Sequence, residues 1–137
     1  MAKLTLSKVD PASTGKFKSR DEVVGETHKL EKKMYDLLYL MFAHNKYSLL
    51  IILQGIDASG KDGAVRHIFA SANPQGIRVF SFKKPSMEEL SHDFIWRCHR
   101  QTPECGLTAI FNRSYYEEVT TVQVHPELLK LQNILTK

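Results

Sequence analysis

Residues 49–63, LLIILQGIDASGKDG, decide the fold of this chain. The run begins with five aliphatic residues in a row, 49–53, and this absence of alternation is typical of a strand covered on both faces of a parallel sheet. Gly55 and Gly60 then bracket four residues before Lys61, which is the spacing of a loop that wraps phosphate oxygens and opens a helix. The stretch therefore predicts a buried strand, a phosphate-binding loop and a helix, in that order.

The loop supplies two kinds of phosphate ligand, backbone N–H groups and the ammonium of a lysine. Asp57 and Asp62 are carboxylates beside the expected phosphates, and Asp62 stands where such loops usually carry the Ser or Thr that binds Mg²⁺. Negative charge at this place favours a divalent cation between carboxylate and phosphate. A plain strand-to-helix turn is the alternative. The residues predicted to bind phosphate here are Gly55, Ala58, Ser59, Gly60, Lys61, Asp62, Gly63 and Arg66.

The composition is that of one ordinary globular domain. The chain has 137 residues, 42% of them hydrophobic, and a formal net charge of +4, which mildly favours anionic partners or is simply a solvated basic surface. Cys98 and Cys105 match neither a disulfide framework nor a zinc pattern. No stretch resembles a signal peptide or the roughly 20 apolar residues of a membrane span. We therefore expect a soluble cytoplasmic protein with no membrane partner.

Strands and helices are predicted to alternate along the chain, which favours an α/β fold with a parallel sheet. Residues 1–20 are basic and poor in apolar side chains, so they are expected to form a flexible arm. Spacing of apolar residues, turn signals and a capping box at Ser86 and Glu89 define the remaining elements. The predicted helices are 21–44, 61–72, 86–100 and 126–134, and the predicted strands are 49–53, 77–82 and 107–111.

Basic side chains follow the second and third predicted strands. Lys83 and Lys84 come after the second strand, and Arg113 comes after the third. Because ligands gather at the carboxyl edge of parallel strands, these side chains are expected to converge on the phosphate-binding loop. Arg113 offers a planar charged fork for phosphoryl oxygens, or an ion pair with Glu117 at i, i+4 spacing. Lys83 and Lys84 suit a second phosphate or a phosphate chain, or an exposed strand end.

Other candidate chemistry is weaker. His92 and Asp93 are neighbours on a predicted helix, so their side chains point in different directions and form no catalytic pair. His92 and His99 share a face, but no further ligand at a matching spacing completes a metal site. Tyr115 and Tyr116 are expected to pack or to cap the phosphate edge. No nucleic-acid partner is predicted.

Several segments together resemble the family-2 polyphosphate kinases, a family of the P-loop kinase group. The resemblance covers about residues 28–130 and includes several linked motifs in the order expected. The matching segments are GIDASGKDG at 55–63, NPQG at 73–76, SFKKP at 81–85, HDFIWR at 92–97, IFNRSYYEEV at 110–119 and VH at 124–125.

The resemblance implies phosphoryl transfer, with Mg²⁺, between inorganic polyphosphate and an adenine or guanine nucleotide. It implies that Lys61 cradles the transferring phosphate and that Arg113 stabilises its charge. Asp57 corresponds to a carboxylate that is linked to the metal or orients the acceptor. These three are the expected catalytic residues.

One departure from the family pattern concerns the metal. Many members have an aspartate before the arginine that follows the third strand, whereas this chain has Asn112. The subgroup with this substitution is associated with both nucleoside mono- and diphosphates. Asp62 or Glu117 is expected to supply the missing charge, so the predicted metal ligands are Asp57, Asp62 and Glu117.

A second departure concerns length, because family members continue into further strands and a basic helical lid. Residues 21–137 therefore resemble the N-terminal part of a P-loop kinase catalytic domain, with three strands and without the lid. Such a unit would expose a sheet edge and an apolar face, so a homo-oligomer or association with a missing half is expected. A polyphosphate-binding module without turnover and an ATP-dependent small-molecule kinase are the alternative functions.

Overall fold

The computed structural model describes residues 9, 10 and 12–128. It confirms an α/β architecture in which helices connect the strands of a parallel sheet. In chain order the elements are α1 (Arg20–His44), β1 (Leu49–Leu53), α2 (Lys61–Ile68), β2 (Ile77–Ser81), α3 (Met87–Leu90), α4 (Trp96–His99), β3 (Thr108–Asn112) and α5 (Tyr115–Val124).

The three strands are parallel and lie in the order β1, β3, β2. Leu49 of β1 and Ile77 of β2 both lie opposite Thr108 of β3, so the strands start and end level with one another. The N–H of Arg113 extends the ladder by donating to the carbonyl of Leu53 at 3.0 Å. The segments that follow the strands consequently leave the sheet at the same edge.

The core lies around the central strand. All five residues of β3 are buried because the strand has a hydrogen-bonded neighbour on each side. Phe111 of β3 packs edge to face on Phe82, with ring centroids 4.8 Å apart, and Cys98 and Ala109 complete the buried cluster. Aromatic rings bury the most surface per residue, so this cluster anchors the carboxyl end of β3.

The prediction that the first strand is buried on both faces is wrong, although its bounds are confirmed. Leu49, Leu50 and Ile52 are each between 38% and 39% exposed. The physical reason is position, since β1 is an edge strand of the sheet that the described residues form. The two-sided burial that its aliphatic run suggests belongs to β3.

The long first helix is confirmed and has clear end signals. The hydroxyl of Ser19 accepts a hydrogen bond from the N–H of Glu22, and Asn45 ends the helix with a left-handed φ of 50°. Leu30 and Leu37, predicted to belong to its apolar face, are exposed, and no α1 residue is fully buried. None of the helices within residues 9, 10 and 12–128 combines the length and apolarity needed to cross a bilayer.

The prediction of a single helix over residues 86–100 is wrong, because the structure has two short helices there. The capping box of Ser86 and Glu89 is present, but α3 ends at Leu90 and α4 begins only at Trp96. Asp93 lies in the break, and its Oδ1 accepts from two backbone N–H groups, at 2.9 and 3.2 Å. Aspartate side chains that bond the local backbone compete with helical hydrogen bonds, which explains the interruption. The helix predicted over 61–72 is also shorter and ends at Ile68.

Helix α5 was not predicted from the sequence. Its start is marked by Ser114, whose hydroxyl accepts from the N–H of Tyr116 at 3.3 Å, and by acidic residues in the first turn. Its Val and Thr residues have low helix propensity, which hides the pattern. The helix predicted over 126–134 falls mostly on residues 129–137, outside the described part, as do residues 1–8 and 11 of the predicted arm.

Candidate functional site

A cavity of about 540 Å³ opens at the carboxyl edge of the sheet. It is lined by residues 57–63 after β1, residues 81–84 at the end of β2, and Asn112 and Arg113 at the end of β3. The predicted convergence of these three segments is therefore confirmed. The volume is within the range of pockets that hold small molecules.

The loop after β1 adopts a conformation that depends on its small residues. Ala58 and Gly60 both have left-handed backbones, with φ of 60° and 89°. A Cβ atom on Gly55 would lie 2.7 Å from Oγ of Ser59, so a side chain there requires Ser59 to move. Gly60 begins α2 without a side-chain cap, which leaves N–H groups of the first helical turn available to an anion.

The side chain of Lys61 points back into this loop. Its ammonium donates to the carbonyl oxygens of Gly55 at 2.6 Å and Ile56 at 2.8 Å, and to Oγ of Ser59 at 3.3 Å. The loop thus holds a positive charge at its centre, next to the unpaired N–H groups of α2. A phosphate oxygen that binds there replaces part of this oxygen shell.

Arg113 follows β3 and has a left-handed backbone with φ of 73°. Its guanidinium bonds Asp57 through Nη2 at 2.5 Å and Glu117 through Nη1 at 3.0 Å. Gln54 donates to the other oxygen of Glu117 at 2.7 Å and orients that carboxylate. The ion pair with Glu117 and the position on the cavity, considered from the sequence as alternatives, therefore occur together.

The three carboxylates predicted as metal ligands are not gathered into one cluster. The part of the chain that the structure describes contains no group of three or more acidic, His or Cys side chains suited to a metal ion. The reason is that Arg113 lies between Asp57 and Glu117, whereas Asp62 accepts a hydrogen bond from Nδ2 of Asn112. The buried Oδ1 of Asn112 has no hydrogen-bond partner. This orphaned oxygen beside the Asp62 carboxylate suits Mg²⁺, which binds through one or two such groups plus substrate phosphates.

The remaining predicted site residues separate into two groups. Lys83 and Lys84 are exposed and line the cavity. They also line a second cavity of about 350 Å³, together with Arg113 and Glu117. Arg66 lies in the last turn of α2, away from the helix end that faces the loop after β1, and is not among the residues lining the first cavity.

Arg97 is a buried charged residue for which the sequence predicted no role, although it belongs to the HDFIWR motif. Arg97 in α4 is only 6% exposed, and its guanidinium bonds the carbonyl of Lys83 at 2.7 Å and the carboxylate of Glu118 at 2.8 Å. The available signal was its position in an otherwise apolar segment, FIWRC at residues 94–98. A charge in such a run is seldom buried unless it is paired.

Two groups beside the site have shifted pKa values. Hydrogen bonding with Tyr116 raises the pKa of Tyr115, and the two rings stack with centroids 4.6 Å apart. Tyr115 also packs against the buried cluster, as the packing prediction requires. Burial raises the pKa of Cys98, so this thiol stays protonated and unreactive near neutral pH.

Comparison with known proteins agrees with this geometry. The family model described as polyphosphate kinase 2 matches residues 17–132. The chain is 44% identical over 128 residues to the ADP-polyphosphate phosphotransferase of Rhodopseudomonas palustris, which covers 93% of this chain and 43% of that protein. It is 40% identical over 120 residues to the AMP/ADP-polyphosphate phosphotransferase of Meiothermus ruber, which covers 87% of this chain and 45% of that protein.

The fold is similar to the crystal structure of polyphosphate kinase 2 from Arthrobacter aurescens TC1, with a TM-score of 0.84 and 34% identity. The alignment covers 96% of this chain and 49% of that one. The chain thus spans about half the length of these relatives. A family model that matches most of the chain, over the residues that build the loop and the cavity, shows that it belongs to the polyphosphate kinase 2 family.

Proposed function

We propose that this chain forms the phosphoryl-transfer centre of a polyphosphate:nucleotide phosphotransferase. The observation that carries the proposal is the presence of Lys61, Lys83, Lys84 and Arg113 around one cavity at the carboxyl edge of the sheet. Several cations around one cavity suit a ligand that carries several phosphates, such as polyphosphate. The printed names of the relatives from Rhodopseudomonas palustris and Meiothermus ruber support this substrate class.

The terminal phosphate of the donor is proposed to bind at the loop. Lys61 and the free N–H groups at the start of α2 hold its oxygens, and Lys83 and Lys84 bind phosphates further along the chain. An oxygen of the nucleotide's terminal phosphate forms a bond to the terminal phosphorus of polyphosphate. The bridging P–O bond breaks, and the shortened polyphosphate leaves with the electron pair.

Charge neutralisation supplies most of the catalysis in such a transfer. The guanidinium of Arg113 is the group suited to the equatorial oxygens of the transferring phosphoryl, because its planar fork bonds two oxygens at once. It reaches them by exchanging Asp57 or Glu117 for phosphate oxygens.

Mg²⁺ is proposed as the cofactor, with Asp62 and Oδ1 of Asn112 as its protein ligands and Asp57 as a further carboxylate at the cavity. When bound, the ion supplies neutralisation of phosphate charge. The protein's part is to hold the oxygens of Asp62 and Asn112 beside the start of α2.

The second cavity is proposed to hold the nucleoside. Apolar side chains line one part of it, among them Phe82, Pro85 and Leu90, and Arg113 lies where the two cavities meet. An apolar wall suits a base, and the shared arginine places the nucleotide's phosphates towards the donor. Use of both mono- and diphosphates is proposed by analogy with the relative from Meiothermus ruber.

Self-association is also proposed. The exposed aliphatic residues of β1 leave an apolar edge on the sheet of the described residues, and such edges favour pairing with another chain. Analytical ultracentrifugation over a range of concentrations tests this, and a monomer at all concentrations contradicts it.

Two measurements test the proposed function. One is formation of ATP from ADP and polyphosphate with no other nucleotide present, and the other is binding of fluorescently labelled polyphosphate. Lys61→Met removes the ammonium at the centre of the loop and is expected to abolish turnover and to weaken binding by at least about tenfold. Lys46→Met is the matched control, because Lys46 is exposed and precedes β1, at the opposite edge of the sheet.

The outcomes separate the alternatives. Turnover lost in Lys61→Met and kept in Lys46→Met supports the proposal. Binding without turnover in the unaltered chain supports a polyphosphate-binding module instead. Turnover that requires ATP as donor, with no effect of polyphosphate, supports an ATP-dependent small-molecule kinase and contradicts the proposal.

A further inference from the structure

The guanidinium of Arg97 joins three separate segments around the two cavities. Nη1 donates to the carbonyl of Lys83 at 2.7 Å, and Nη2 donates to Oε1 of Glu118 in α5 at 2.8 Å. Glu89 of α3 lies 3.7 Å from Nη1. A side chain that is 6% exposed thereby connects the segment after β2 with two helices.

Stability alone is a poor reason for such a buried ion pair. Removing a guanidinium and a carboxylate from water costs free energy that their attraction only partly restores, and apolar replacements are often as stable. A buried pair is better explained by the geometry it imposes. The geometry imposed here is the path of the main chain at Lys83.

That path matters because it presents the two lysines of the phosphate cavity. Lys83 and Lys84 have exposed, flexible side chains, so only their backbone determines where the ammonium groups can reach. The segment is held on both sides, since the Phe82 ring lies 5.3 Å from the Arg97 guanidinium carbon. At the other end, the N–H of Ser86 donates to Glu89 at 2.7 Å.

We propose that Arg97 is a positioning residue that fixes the main chain at Lys83 and so directs Lys83 and Lys84 onto the phosphate chain. This inference rests on the proposed function. Arg97 itself is not a phosphate ligand, because its charge is already opposed by Glu89 and Glu118, its Nη1 and Nη2 donate to protein oxygens, and its remaining donor, Nε, is buried.

The deciding variant is Arg97→Lys, which keeps the charge opposite Glu118 but lacks the fork that reaches two acceptors at once. Arg97→Met is a stronger perturbation of the same contacts. Arg100→Met is the matched control, since Arg100 follows α4, is exposed, and has contacts outside residues 82–86, namely Glu88 at 3.4 Å and the Trp96 ring at 4.7 Å.

The first readout uses no ligand. Amide hydrogen exchange is expected to accelerate at least about tenfold in Arg97→Lys at Phe82 and Ser86, whose N–H groups donate to the carbonyl of Asn112 at 3.2 Å and to Glu89 at 2.7 Å; this factor corresponds to loss of one charge-assisted hydrogen bond. Exchange in β3 is expected to stay unchanged, and Arg100→Met is expected to match the unaltered chain throughout. Unchanged exchange at Phe82 and Ser86 in Arg97→Lys overturns the proposal.

The second readout is binding of labelled polyphosphate, with KM for polyphosphate, KM for the nucleotide and kcat measured where turnover occurs. Arg97→Lys is expected to weaken polyphosphate binding about tenfold and, because Arg97, Phe82 and Pro85 also line the second cavity, to raise the nucleotide KM, whereas Arg100→Met is expected to leave both within about twofold of the unaltered chain. Faster exchange with unaltered polyphosphate affinity overturns the positioning role. If the unaltered chain binds no polyphosphate, the proposed function fails, and the exchange result still decides whether Arg97 fixes this segment.

Discussion

Arg113 is a bulky residue held in a backbone conformation that favours glycine. Its φ of 73° is in the left-handed region, and its N–H is fixed by a 3.0 Å bond to the carbonyl of Leu53. A residue with a Cβ atom incurs about 1–2 kcal/mol in this region. Strained positions of this kind concentrate at functional sites. We therefore predict that replacing Arg113 by glycine relieves strain, whereas replacing it by alanine does not.

The comparison of the two variants isolates the energetic effect of the backbone conformation at residue 113. Both lose the same ion pairs, with Asp57, whose side chain is 86% exposed, and with Glu117, and such pairs contribute about 0–1 kcal/mol each. The glycine variant is free of the strain energy, but its more flexible unfolded state lowers its free energy of unfolding by about 0.4–1 kcal/mol. Arg113→Gly is therefore expected to be more stable than Arg113→Ala by about 1 kcal/mol, or about 3 °C in Tm for a chain of this size.

Glu117 provides the control with the opposite sign. It lies inside α5, where glycine is about 1 kcal/mol less favourable than alanine. Urea unfolding followed by circular dichroism is to be measured for Ala and Gly at both positions. The order is expected to reverse between the two sites, and an Arg113→Ala variant as stable as Arg113→Gly refutes the strain argument. Both Arg113 variants are expected to lose phosphoryl transfer, since neither carries a guanidinium.

Three further predictions concern the fold. Gly106→Ala is expected to lower the free energy of unfolding, measured by urea titration, by about 2 kcal/mol. The reasons are that φ of Gly106 is +82° and that the new Cβ would lie 2.8 Å from Oδ1 of Asn45. A variant as stable as the unaltered chain contradicts this. Phe111→Ala, at a ring 2% exposed, is expected to cost about 3–5 kcal/mol and to reduce the helical signal in circular dichroism at 25 °C; a retained cooperative melt at the original Tm would be inconsistent with the core described. At pH 8 iodoacetamide is expected to modify the exposed Cys105 first, while Cys98 reacts only in denaturant because burial raises its pKa. Intact mass spectrometry is expected to show one adduct on the folded protein. Two adducts formed at equal rates contradict the prediction.

The sequence was informative wherever function depends on a local pattern. The loop from Gly55 to Lys61, the parallel order of the strands and the convergence of Lys83 and Arg113 all follow from spacing along the chain. These features depend on a few residues near one another in sequence, and the connection rules of parallel sheets supply the rest.

The errors arose where the structure depends on which of several available partners a residue or strand takes. The aliphatic run of β1 suggested burial, but burial depends on strand order, and the order places β3 in the centre. The break between α3 and α4 depends on Asp93 choosing local backbone partners over a continuous helix. The role of Arg97 depends on its bond to the carboxylate of Glu118, 21 residues away, and no local sequence pattern predicts that contact.

The predicted metal site shows the same limit in a functional setting. Asp57, Asp62 and Glu117 are all near the cavity, as the sequence suggested, but each carboxylate has a nitrogen donor of the protein as its partner. Spacing predicts which residues reach a site. It does not predict which of them bond one another there.

The two sets of cations at the cavity are therefore in different states before any phosphate arrives. The ammonium of Lys61 bonds loop oxygens and the guanidinium of Arg113 bonds two carboxylates, so each must exchange protein partners for phosphate oxygens. Within the described residues, no hydrogen bond or ion pair engages the ammonium groups of Lys83 and Lys84. Unpaired exposed charges attract an anion over about a Debye length without any prior rearrangement. On the proposed function, Lys83 and Lys84 make the first contact with polyphosphate, and Lys61 and Arg113 exchange partners as the terminal phosphate enters the loop. The charge of Arg113 is opposed by two carboxylates until phosphate oxygens displace Asp57 or Glu117, whereas the ammonium of Lys61 bonds only neutral loop oxygens, so its charge is uncompensated before phosphate enters.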